Sequence, residues 1–341
     1  MLLKELTEAF GPSGFEGEVR DLIRREATPF AERITTDTLG SLIVEKNLQQ
    51  NGPKVLLAAH MDEVSFMIVG IEENGLLRFR PIGGVDPRIL VSKVLHVGSK
   101  RISGVIGAKA IHLQKPEERK KPLGLSQLFI DIGASTKAEA ESHVAIGDTA
   151  VFATRYEEYG DRRAKAKSFD DRVGCAILLE ALKEDIKLPL VAAFTVQEEI
   201  GLRGAGPVAF RTKPDFAIVL EGTVCFDVVD APAHGESTIL GAGPALTLVD
   251  SRTVAHRPFR AYVKQVAEEN GIPVQMRRVK GGSNDNGIIH LTEGGIVATS
   301  ISVPVRYIHA PVQSVHLDDV QNAYRLLISV LRGLEKGGFP G

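Results

Sequence analysis

Two adjacent carboxylates, Glu198 and Glu199, close an apolar run that begins at Leu190. Neighbouring residues at a strand end point to opposite sides, so the pair divides into two roles: one acid binds a metal and the other faces substrate and moves protons. Two further apolar runs end in a donor. Residues 55–59 lead into His60, and residues 216–220 lead into Glu221. His309 follows the apolar run 296–303 after a short loop, and Asp170 stands where a loop enters an apolar helix. His60, Asp170, Glu199 (or Glu198), Glu221 and His309 are the donor types that bind a hard or borderline divalent ion.

The charge count favours two ions over one. Three carboxylates bring −3 against +4 for two dications, which leaves room for a hydroxide as nucleophile between them. Asp170, held rigidly at a helix entrance, is the natural bridging ligand because a carboxylate has two oxygens. Asp62 lies two residues beyond His60 and on the same side of an extended segment. There it can accept the second ring N–H of His60 and fix the tautomer. His96, His112, His143, His234, His256, His290 and His316 do not directly end an apolar strand and are read as ordinary surface or core residues.

The elements that must hold these residues form two patterns. Short, continuous apolar runs such as 55–59, 190–196, 216–220 and 296–303 predict strands buried on both faces, as in a parallel sheet. Helices are expected at 2–10, from 16 onward, at 173–182, near 259–269 and at 317–336, with a hairpin over 33–46. Ligands in such sheets bind outside the carboxyl ends of the strands, where the candidate residues fall. From residue 65 to about 154 the pattern changes to short strands with one short helix near 137–142, and Asn74-Gly75 between apolar runs is a hairpin signal. The expected architecture is α/β, a mixed sheet flanked by helices, with a small β-barrel inserted. Residues 1–66 and 163–341 form the catalytic domain and 67–162 the insertion. The charged loop 115–122 is expected to be solvated.

The 341 residues exceed one ordinary domain, and the net charge of −2 without a basic run gives no support for nucleic acid or an anionic membrane as partner. No apolar run approaches the roughly 20 residues of a membrane span. Two cysteines and a charged start suit the cytoplasm.

At His60-Met61-Asp62-Glu63, Ser168-Phe169-Asp170-Asp171-Arg172, Gln197-Glu198-Glu199-Ile200-Gly201, Glu221-Gly222-Thr223 and Arg306-Tyr307-Ile308-His309 the chain resembles the M42 family of metalloaminopeptidases. These are the tetrahedral (TET) aminopeptidases and relatives, some of which carry the labels FrvX or endoglucanase M. The resemblance runs from the first helix to the last and includes the inserted domain, and it implies a zinc-peptidase-like mixed sheet with the small β-barrel as a dimerisation domain. It implies that His60 and Glu221 complete one metal site, Glu199 and His309 the other, that Asp170 bridges, and that Glu198 is the general acid/base. It also implies zinc or cobalt as the metal, short peptides as substrates, and self-association through the β-domain into dimers and commonly dodecamers. The turn Ser283-Asn284-Asp285-Asn286 and the loop Val229-Asp230-Ala231-Pro232 depart from the family pattern, so specificity is not inherited.

A related metal deacylase or carboxypeptidase uses the same donors and is the nearest alternative. A glycosidase leaves His60 and His309 without a role, and sugar sites favour aromatic faces, whereas this chain has no Trp and five Tyr. A non-enzymatic scaffold has no use for a complete donor set and a candidate base.

Overall fold

The computed structural model describes residues 1–231, 238–278 and 281–339. The chain opens with α1 (Leu3–Glu8) and α2 (Gly17–Ala27), which bury Leu3, Leu6, Val19 and Ile23. Gly11, Pro12 and Ser13 lie in the break between them. The hairpin of β1 (Arg33–Thr36) and β2 (Leu42–Lys46) turns through Gly40, whose φ of 109° suits glycine. β3 (Val55–His60) is buried at every position.

The chain then enters a closed six-stranded barrel. It comprises β4 (Ser65–Ile71), β5 (Leu77–Ile82), β6 (Val94–Val97), β7 (Ile102–Ala108), β8 (Leu128–Asp131) and β9 (Thr149–Phe152), in the order β4-β5-β8-β7-β6-β9. The short helix α3 (Lys137–Glu141) starts on a Thr136 cap. Phe66, Phe79 and Phe152 meet edge-to-face at the centre of a core separate from that of the main sheet. The expected solvated loop around residue 118 contains a 3₁₀ turn, Glu118–Lys120, with Glu118 paired to Lys109.

β10 (Glu157–Tyr159) and β11 (Arg163–Ala166) lie outside the barrel. They form a three-stranded sheet with β17 (Gln313–His316), so the barrel strands end well before residue 162. α4 (Phe169–Lys183) follows, apolar on nearly every face and buried along almost its whole length. Next come β12 (Leu190–Thr195), α5 (Ala205–Thr212), β13 (Phe216–Val224), β14 (Ala245–Thr247), α6 (Arg257–Glu269), β15 (Gln275–Arg277), α7 (Asn286–Ile289), β16 (Val297–Val305) and α8 (Leu317–Glu335).

The main sheet has the order β1-β2-β12-β3-β13-β16-β14-β15. Its four central strands, β12, β3, β13 and β16, are mutually parallel, while β2 and β14 join them antiparallel. α1, α2, α4, α6 and α8 pack on one face around a large core, and α5 and α7 cover the other. The expected α/β class and inserted barrel are therefore present. Among the described residues, no helix is long and apolar enough to cross a membrane.

Candidate active site

The four central strands all deliver side chains to one sheet edge, at their carboxyl ends. Strand register sets the alignment, with Thr195 of β12 opposite His60 of β3 and Glu221 of β13 opposite Ser302 of β16. The His60 ring is buried, and its Nε2 lies 3.2 Å from Asp170 Oδ1 and 3.3 Å from Glu221 Oε1. His309 Nε2 lies 3.4 Å from Asp170 Oδ2 and 3.1 Å from Glu199 Oε2. The two oxygens of Asp170 thus face two different donor groups: His60 with Glu221, and Glu199 with His309. Glu198 is set apart, its Oε2 3.9 Å from His60 Nε2.

Local backbone explains the placement. β12 ends at Thr195, and Gln197 adopts a left-handed φ of 57°, which turns Glu198 and Glu199 back across the strand ends. Asp170 lies just before the regular turns of α4, at φ −79° and ψ 110°, and its N–H is taken by Gln313 Oε1 at 2.9 Å. Gly222 lets β13 approach closely: a Cβ there would lie 3.3 Å from Asp170 Cα. His309 is held in left-handed backbone, φ 59°, beyond β16. The Arg306 pair with Asp227 anchors that loop.

Asp62 lies against the His60 ring and reaches beyond it. Its Oδ1 is 3.3 Å from His60 Nδ1, and the same ring nitrogen is 3.1 Å from the Asp62 carbonyl oxygen. The carboxylate also accepts the N–H groups of Glu198 at 3.0 Å and Glu199 at 3.1 Å, and the Ser13 hydroxyl at 2.6 Å. Burial opposes its charge, but the His60, Ser13 and Glu198 contacts outweigh that penalty and hold its pKa below the ordinary carboxylate value.

Sequence reasoning missed several supports. Ser13 was visible only as part of a helix stop. Glu63, 2% exposed, gathers Lys167, Arg172 and the N–H of Gly11. That buried cluster ties the loop after β3 to the segment entering α4, and removal of one member costs on the order of 3–5 kcal/mol. Asp171 accepts the N–H of His60 at 3.2 Å and fixes the end of β3. Asp285 accepts the Thr195 hydroxyl beneath the Glu198 turn. Asp285 lies in the turn after β15 that the sequence singles out, but nothing in the sequence places it under β12. His256 and His316 cap α6 and α8, in keeping with ordinary roles, and His234 lies outside the described residues.

The electrostatics are those of a buried site crowded with acids. Burial raises the pKa of Glu198 well above its usual value, with the Glu221, Glu199 and Asp285 charges adding to the effect. Burial likewise raises Glu199 and Glu221, and pushes Asp285 up to about 6. At His309 burial is outweighed by the Glu199 charge and the Asp170 contact, and the pKa rises to about 11. His60 is raised well above the imidazole value for the same reason: the Glu221 charge and the carboxylate contacts overcome burial.

The residues fit divalent metal ions. All the donors are oxygen or imidazole nitrogen, and in each three-residue group the ligand atoms lie within 4.8 Å of one another. Glu221 Oε2 is buried with no hydrogen-bond partner, an unused acceptor on a residue of the donor group. A cavity of about 460 Å³ adjoins the donors. Another cleft, about 580 Å³ between α2 and the barrel, is lined by Phe15, Glu16 and Asp148 but by no histidine.

The M42 glutamyl aminopeptidase family model matches residues 40–326, and a short second model, AMPT, matches residues 1–22. The chain is 39% identical over 332 residues to a putative aminopeptidase of Acetivibrio thermocellus, covering 97% of each. The TET aminopeptidase of the archaeon Thaumarchaeota archaeon SCGC AB-539-E09 superposes with a TM-score of 0.94 at 36% identity, over 98% of this chain and 97% of that one. The TET1 peptidase of Pyrococcus horikoshii, which can assemble into a tetrahedron or a large octahedral shell, superposes at 0.86 with 33% identity, over 96% and 98%. Two more distant relatives have names that point to opposite charges. A lysyl aminopeptidase of Pyrococcus furiosus is 28% identical over 99% of this chain and 98% of that protein. A glutamyl aminopeptidase of Lactococcus lactis is 29% identical over 97% and 95%.

Proposed function

The chain belongs to the M42 peptidase family, and on that premise we propose that it is a two-metal aminopeptidase that removes the first residue of peptides. The observation that carries the two-metal reading is the position of Asp170, with Oδ1 facing His60 and Oδ2 facing His309. His60, Asp170 and Glu221 would hold one divalent ion, zinc or cobalt, and Asp170, Glu199 and His309 the other. Such ions supply Lewis acidity toward the scissile carbonyl and an acidified water as nucleophile.

The chain's own groups do the rest. Asp62 orients His60 through Nδ1, leaving Nε2 free for a ligand bond. Glu198 holds no place in either donor group, is buried, and has a pKa raised well above the usual carboxylate range. A carboxyl tuned upward suits both halves of the proton transfer: it takes a proton from the attacking water and returns it to the leaving amine. The free α-amino group of the substrate occupies the donor-set end of the cavity, which restricts cleavage to chain ends. The inserted barrel, whose strands carry none of the donors, is assigned to self-association into dimers and a dodecamer.

The test uses one peptide series with free and acetylated N-termini. Chelation should abolish cleavage of the free peptides, and Zn²⁺ or Co²⁺ should restore it with about two ions bound per chain. Equal cleavage of acetylated peptides, or release from the C-terminus, overturns the aminopeptidase reading. Saturation at one ion overturns the two-metal reading alone. Light scattering that returns a single-chain mass overturns the assembly.

A further inference from the structure

Successive backbone N–H groups in the turn after β12 are taken by two carboxylates from distant parts of the chain. Asp62 accepts those of Glu198 and Glu199. Glu16 accepts that of Gln197, its Oε1 lying 3.2 Å from the nitrogen across 181 positions. The carbonyls of the same turn bond within their own loop instead. Val196 accepts from Gly204, Gln197 from Arg203, and Glu198 from Gly201 and Leu202. Local backbone thus holds one side of the turn, and Glu16 with Asp62 holds the other.

Glu16 is only 2% exposed and stands at the N-cap of α2, yet its side chain makes no cap to that helix. Its Oε1 is spent on the N–H of Gly14, at 2.6 Å, and on that of Gln197. Gly14 adopts left-handed backbone, φ 83°, which turns the chain so that the carboxylate reaches back to it. Burial pushes the Glu16 carboxyl up to about 7, with the Asp62 charge adding to the effect and the N–H contacts opposing it. A buried acid beside a second one is costly unless its oxygens are bonded. Gln197 has the matching need. Its left-handed φ of 57° is unfavourable for a residue with a Cβ and persists where the surroundings hold it.

We propose that Glu16 is a positioning residue for Glu198. Through the Gln197 N–H it sets the direction in which the turn leaves β12, and so where the Glu198 carboxyl stands beside the donor groups. This rests on the reading above, in which Glu198 moves the proton. The role is one of reach and not of charge. The accepting oxygen is present whether or not the carboxyl is protonated, and a glutamine amide supplies the same oxygen. Aspartate keeps the charge but falls one methylene short, and at an N-cap its carboxylate turns to the first N–H groups of the helix. A base must stand within hydrogen-bond reach of the proton it takes, and a displacement of about 1 Å can cost about 10²-fold in rate.

The experiment compares Glu16→Gln and Glu16→Asp, both metal-loaded, on a peptide with a free N-terminus. Glu16→Gln should keep kcat within about 3-fold of the unmodified enzyme, while Glu16→Asp loses about 10–100-fold in kcat with KM nearly unchanged. Bound metal should be the same in both. Placed in the Glu198→Gln background, Glu16→Asp should cost nothing further, because the group it positions is already gone. Equal rates in the two variants, high or low, overturn the inference. So does loss in Glu16→Gln with retention in Glu16→Asp, which assigns the role to charge. Loss of bound metal from Glu16→Asp, or a full additional loss in the Glu198→Gln background, also overturns it. Each of these leaves the aminopeptidase reading standing. Cleavage of acetylated peptides by the unmodified enzyme, with free ones untouched, overturns that reading and the inference with it.

Discussion

The Asp62 carboxylate accepts the backbone N–H of Glu198 at 3.0 Å while its Oδ1 sits 3.3 Å from Nδ1 of His60. One buried side chain therefore fixes a candidate metal ligand and the turn that carries the candidate base. Ser13 completes its shell from the loop between the first two helices.

Asp62→Asn tests that coupling. The amide keeps the shape, but its NH₂ group cannot accept from Ser13 or the Glu199 N–H. Activity and metal affinity should each fall about 10–100-fold, as for other partners of metal-bound histidines. Titration with Zn²⁺ alongside steady-state kinetics checks both. A variant with wild-type metal affinity and rate shows that the contacts are only structural.

Glu198 and Glu199 should separate cleanly. Glu199 faces His309 at 3.1 Å within a donor group, so Glu199→Gln should lower metal content together with rate. Glu198→Gln should retain two ions and lose about 10²–10⁴-fold or more in turnover, with little change in substrate binding. Metal analysis on both variants decides it. Loss of metal from Glu198→Gln, with retention in Glu199→Gln, exchanges the roles.

Metal binding should release protons. In the metal-free protein His309 has its pKa raised to about 11 and His60 is also raised, so both rings are protonated near neutrality. Only a neutral imidazole binds metal, so affinity should strengthen as pH rises from 6 to 9. The sign for stability is opposite. A histidine raised above its unfolded value of about 6.5 stabilises the metal-free fold fully below that pH, and the contribution fades as pH climbs through about 11. Calorimetric titration in buffers of different ionisation enthalpy, with melting of the metal-free protein at both ends of this window, measures the two effects. Metal affinity independent of pH would falsify this account.

Much of the site was legible along the chain because of where parallel strands must sit. A strand buried on both faces is a continuous apolar run, so the polar residue that ends it stands out, as His60 and Glu221 do. The Asn74-Gly75 hairpin marked the change to barrel patterning in the same local way. Short elements escaped: α5 has eight residues and contains Gly206-Pro207, and β10, β11 and β17 have three or four residues each.

The sequence by itself determined the donor types, their order at strand ends, and the pairing of His60 with Asp62, because each depends on a few neighbouring residues. Only the tertiary structure decided which donors fall into one group and what surrounds them. Asp170 faces both histidines because α4 begins under the ends of β3, β13 and β16. Ser13 reaches Asp62 across 49 positions, and Thr195 reaches Asp285 across 90. Strand order and helix packing set these contacts, and they follow from burying apolar faces against one another over the whole chain, which no local spacing records.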